Sequence, residues 1–149
     1  MTNLIYNVKI VNIFFIVFPF TSYVKLQDAY VSEAGEYYGS WAMIGYTMTS
    51  TTNFKFLENG TAENGVAAAS STALGVAAAV TWGAQNKAAL NDCTANSSWQ
   101  LTVAKNSAAG GGALYGAKVT GGPTGKCVIL TPSFGKLSPN PVEAATAGK

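Results

Sequence analysis

Any chemistry in this chain must come from a narrow set of side chains. Its 149 residues include two cysteines, Cys93 and Cys127, seven carboxylates and nine cations, with no histidine. All nine cations are lysines, because arginine does not occur. Without histidine, neither a Ser-His-Asp nor a Cys-His arrangement can be built from this chain. Two cysteines alone leave a tetrahedral zinc shell incomplete unless unusual carboxylates join it, so no metal or cofactor is expected. The acids are Asp28, Glu33, Glu36, Glu58, Glu63, Asp92 and Glu143. None has the apolar setting that tunes a carboxylate for acid–base work. Glu58 and Glu63 flank a turn and read as solvated loop carboxylates, and Asp92 reads as a loop or cap residue. The runs Gly110-Gly111-Gly112 and Gly121-Gly122 do not open a helix after a strand, so they read as turns rather than phosphate loops. Neither enzymatic activity nor a small-molecule substrate is expected.

The cysteines are even in number, widely spaced and preceded by an apolar N-terminus, which suggests one disulfide in an oxidising compartment. Closing a loop of about 35 residues would restrict the unfolded chain by ~4 kcal/mol. Two buried free thiols are the alternative. Charged residues make up 11% of the chain, against the usual quarter or so, and the formal net charge is +2. Lysines scattered singly, with no arginine fork, exclude nucleic acid as an expected partner. Asn59-Gly60-Thr61 and Asn96-Ser97-Ser98 match the N-glycan acceptor pattern, a triplet common by chance.

Residues 1–28 read as an apolar, helical export signal. Lys9 precedes an uncharged run of 15 residues, Ile10 to Val24, closed by Lys25. That run is short for a membrane-spanning helix, although a retained anchor is the alternative. Cleavage could fall near Ser22 or Ala29. Residues 29–137 form the expected globular domain, mainly β with α+β possible, and residues 138–149 an expected disordered tail. Trp41 to Thr49 could be a first strand, and Asn53 to Leu57 is a better one, with Phe54 and Phe56 on one face. Asn59-Gly60 and Asn64-Gly65 are turn dipeptides. Val76 to Trp82 leans towards strand with a helical turn at Gln85 to Leu90, and one helix over Thr72 to Leu90 is nearly as well supported. Trp99 to Val103 is a strand with Trp99, Leu101 and Val103 on one face. Ala113 to Thr120 is another, and Cys127 to Thr131 reads as a final strand covered on both faces. Trp82, Trp99, Phe54 and Phe56 are expected in the core.

A domain with few charges, rich in Gly, Ala, Ser and Thr, ending in an antiparallel sheet with Cys93 and Cys127 near its C-terminus, resembles the globular head of a type IV pilin. In whole pilins the apolar face of the sheet packs on a long N-terminal helix. The pilin processing motif and its early glutamate are missing here, so the chain resembles the head subunit of a split pilin. The resemblance implies a secreted structural subunit of a type IV pilus or pseudopilus. A short helical pilin would supply the absent helix and bind an apolar face containing Leu101, Val103 and Ile129. The alternative is a secreted β-sandwich adhesin or carbohydrate-binding module using Tyr37, Tyr38 or Trp41.

Overall fold

A computed structural model describes residues 19–108, 110–137 and 143–144. The chain is helical through described residues 19–34, here α1. Phe20, Tyr23, Gln27 and Val31 are buried, with Val24, Tyr30 and Ala34 partly so, while Lys25, Asp28, Ser32 and Glu33 face solvent. That spacing is the apolar stripe of a helix lying on a core. Gly35, at φ +76°, ends α1 in the left-handed conformation that glycine adopts without a steric penalty. Strand β1 (Tyr37–Gly39) follows, then a short helix α2 (Trp41–Ile44), N-capped by Ser40 and ended by Gly45 at φ 73°. The possible strand at Trp41 to Thr49 is therefore a capped helical turn followed by irregular chain.

The remaining strands are β2 (Phe54–Glu58), β3 (Ala62–Glu63), β4 (Ser71–Ala73), β5 (Ala79–Asn86), β6 (Ser98–Lys105), β7 (Ala113–Val119) and β8 (Glu143–Ala144). β1 and β4 form a two-stranded antiparallel sheet. The main sheet has the order β3-β2-β5-β6-β7-β8 and is antiparallel except for the β7–β8 pair. The protein is thus mostly β with antiparallel sheets. Both Asn-Gly dipeptides turn the chain with positive φ at each residue: 53° and 74° at Asn59-Gly60, 62° and 86° at Asn64-Gly65.

Residues 79–86 are one strand rather than a strand and a helical turn, and the helix over Thr72 to Leu90 does not form. A register shift between Val80 and Trp82 lets both Thr81 and Trp82 face the core. The expected strand at Cys127 to Thr131 is instead a 3-10 turn over Val128–Leu130. A 3-10 helix places i and i+3 on the same side, so Cys127 and Leu130 turn inwards while Ile129 stays 64% exposed. An unbroken apolar triplet cannot by itself distinguish these outcomes. The position beside β7 is held by β8, from the tail expected to be disordered.

α1 runs across the boundary expected at residue 28. Phe20, Tyr23 and Gln27, assigned to a removable leader, are at most 2% exposed and belong to the domain core or its hydrogen bonds. The leader's remaining part, residues 1–18, lies outside the described residues. Among the described residues no helix is long and apolar enough to cross a membrane. Because Phe20 packs edge-on against Phe134 with ring centroids 4.8 Å apart, Phe20→Ala should destabilise the folded protein by about 3 kcal/mol, read as a fall in the denaturant midpoint.

Candidate functional site

The described structure joins its elements at two places, a disulfide clamp and a polar seam beneath α1. Cys93 and Cys127 form the disulfide, with an S–S distance of 2.03 Å and Cα atoms 4.7 Å apart. Both cysteines are buried. The loop carrying Cys93 is shaped by Asn86, which is wholly buried at the end of β5. Its Nδ2 donates to the carbonyls of Ala88 and Thr94, each at 2.9 Å, and its Oδ1 accepts from Ser97 N–H at 2.7 Å. On the other side of the bridge, Trp99 Nε1 donates to Thr131 Oγ1 at 2.8 Å, fixing the C-terminal loop to β6.

The seam begins at Gln27. Its side-chain amide donates to the Gly39 carbonyl at 2.8 Å and accepts from Gly39 N–H at 2.9 Å, pairing with β1 as a neighbouring strand would. The same Nε2 donates to Tyr23 Oη at 3.0 Å, and Tyr23 donates to Thr81 Oγ1 at 2.6 Å. Trp41 Nε1 donates to the Thr81 carbonyl at 3.1 Å. Glu58 completes the line: Oε1 accepts from Trp41 N–H at 2.7 Å and Oε2 from Val66 N–H at 2.6 Å. Glu58 is 1% exposed, so the solvated loop carboxylate expected at this position is corrected. Its alternation with Phe54 and Phe56 along β2 turns it inwards, and two backbone donors compensate for burial. Nearby, Tyr46 accepts from Trp82 Nε1 at 3.0 Å and donates to the Pro19 carbonyl at 3.1 Å.

Burial shifts the phenols. It raises Tyr23 to about 12, with its bonds to Thr81 and Gln27 acting the other way. Burial likewise raises Tyr46, opposed by the Trp82 hydrogen bond, and Tyr115, where the Asp28 charge adds to the effect.

The expected partner-facing residues separate. Leu101 is fully buried in the main core with Phe20 and Tyr23, and Val103 is buried with Val31 of α1. Neither is the exposed contact the sequence suggested, because the chain's own helix covers that face. Ile129 does project to solvent. Tyr37 is 47% exposed and Trp41 is 2% exposed, so they do not form a shared exposed platform. Among the described residues, no group of three or more His, Cys, Asp or Glu side chains converges as a metal site. A groove of about 510 Å³ on the sheet face away from α1 is lined by Val76, Thr102, Ala104, Leu114 and Gly116, among others. The residues missed in the sequence are Tyr23, Gln27, Glu58, Asn86 and Thr131. For Tyr23 and Gln27 a signal was present: they continue the stripe from Phe20 to Val31.

No protein-family model, characterised protein or solved structure matches this chain. The geometry described here is mechanical, holding helix, sheet and C-terminal loop in one register.

Two outcomes are expected. Replacing both Cys93 and Cys127 with Ser should lower stability by about 4 kcal/mol, measured by denaturant unfolding against the oxidised protein. Stability should also fall as pH rises from about 10 to about 12. Tyr23 stays protonated in the fold while its unfolded counterpart ionises from 10, so the unfolded state binds fewer protons and gains. Tyr23→Phe should flatten this fall by about 1.4 kcal/mol per pH unit, seen in melting temperatures across the range.

Proposed function

We propose that this chain is a structural subunit of an extracellular filament of the type IV pilus or pseudopilus kind, assembling with pilin-type partners and catalysing nothing. The observation that carries this reading is α1 lying on the apolar face of an antiparallel sheet whose C-terminal segment is tied down by one disulfide. That is the arrangement the pilin resemblance calls for, now with the helix supplied by the chain itself. The oxidised cysteines fit an exported protein.

The filled helix position changes what a short helical pilin partner would do. It would meet the subunit from the side rather than complete its sheet. Two features could take part: Ile129, on its turn next to the disulfide, and the uncharged residues Ile10 to Phe18 just before α1. The six other large exposed apolar side chains among the described residues are dispersed or only marginally exposed, as on ordinary surfaces.

N-terminal peptide mass spectrometry of the exported protein, together with electron microscopy of extracellular material, tests the reading. The expected mature chain begins upstream of Phe20 and is found in filaments. A mature chain beginning at or after Ala29, monomeric and without filaments, would overturn it. Ile129→Asp should reduce filament yield severalfold and leave the melting temperature nearly unchanged, because the substituted side chain is mostly in solvent already.

A further inference from the structure

The chain contains the tripeptide Glu-Asn-Gly twice, as Glu58-Asn59-Gly60 and Glu63-Asn64-Gly65. The fold treats the two copies differently. Asn64 is held at both reacting groups: its Oδ1 accepts from Ser50 N–H at 2.7 Å, and the Gly65 N–H donates to the Ala62 carbonyl at 3.2 Å. Asn64 N–H is also bonded, to the Phe56 carbonyl at 2.9 Å. Asn59 is exposed at the tip of the β2–β3 turn. Its side chain has no hydrogen-bond partner among the described residues, and neither has the Gly60 N–H. The residue after each asparagine has no Cβ to block approach of its nitrogen to the preceding side chain.

We propose that Asn59 is a site of spontaneous, conformation-selected deamidation, and that Asn64 is protected by the fold. The Gly60 nitrogen, losing its proton to solvent base, attacks Asn59 Cγ. The new N–C bond forms as the Cγ–Nδ2 bond breaks, and ammonia leaves. Water then opens the resulting succinimide at one carbonyl or the other, giving aspartate or isoaspartate, with no change of oxidation state. Either product adds a negative charge next to Glu58, and isoaspartate also lengthens the turn. Gly60 lies against the outer face of the sheet, where an added Cβ would come within 3.1 Å of Val80 and 3.4 Å of Gln100. The modification therefore alters a turn seated on β5 and β6 rather than a free loop.

The test keeps the full-length oxidised protein in mildly alkaline buffer and follows the loss of each side-chain amide by peptide mass spectrometry. Asn59 should convert about tenfold faster than Asn64, whose two engaged groups must first be released. In denaturant the two rates should converge, since the local tripeptides are identical. Conversion of Asn64 at or above the rate of Asn59, absence of conversion at Asn59 in the folded protein, or a preference that persists in denaturant would each overturn the assignment.

Discussion

The structure depends on how α1 is held in register over the sheet, and Gln27 sets that register. An apolar stripe alone would allow a helix to slide or rotate on a greasy surface at modest cost. A wholly buried amide that takes both backbone groups of Gly39 does not allow it. Displacing α1 by a turn would strand the amide, the Tyr23 hydroxyl and the Gly39 backbone, each at about 1–3 kcal/mol when buried without a partner. Gly39 also lets α2 pack closely on β1, because a Cβ there would lie 2.7 Å from Ile44 Cγ2. The seam thus connects α1 to β1, α2, β2 and β5 through one line of donors and acceptors, with buried aromatic rings packed around it.

The second constraint works from the opposite end of the chain. The C-terminal loop packs Leu130 and Phe134 into the same core as Phe20, and the disulfide prevents that loop from lifting away. Residues more than 100 positions apart in sequence therefore share one ring contact. Such non-local closure carries a large loop-entropy cost, which the covalent tie partly removes from the unfolded state. Asn86 and Thr131 serve the same end by fixing the two segments that the bridge joins.

The sheet was legible where the alternation was clear. Phe54 and Phe56, and Trp99, Leu101 and Val103, face inwards as their spacing requires, and the Asn-Gly pairs turn the chain where expected. The failures have physical reasons. Val128-Ile129-Leu130 is apolar throughout, so it carries no period to separate a covered strand from a turn. Glu58 was assigned by its charge when its parity in β2 was the better guide. Hydrophobicity alone is ambiguous at the N-terminus: an apolar run before Lys25 resembles a leader, and the stripe from Phe20 to Val31 crosses residue 28 without a break. A leader's apolar segment and a core helix's buried face are built from the same residues, and only the polar insertions at Tyr23 and Gln27, four apart, betray the second.

The position of α1 bears on the proposed assembly. Among the described residues the sheet's α1-facing side is already covered, so on this reading the energy for association comes from elsewhere. One exposed isoleucine on a turn contributes at most about 1.5–3 kcal/mol when buried, too little to offset the entropy of association. The run Ile10 to Phe18 has eight apolar residues among nine. Burying even half of them against neighbouring subunits would outweigh Ile129 severalfold. On this reading, Ile129 contributes to where neighbours sit, and the N-terminal residues decide whether they stay together. The polar seam then acquires a mechanical role, since any load carried by the N-terminal run reaches the domain through α1, and the bonds of Gln27 and Tyr23 are what keep that helix from sliding.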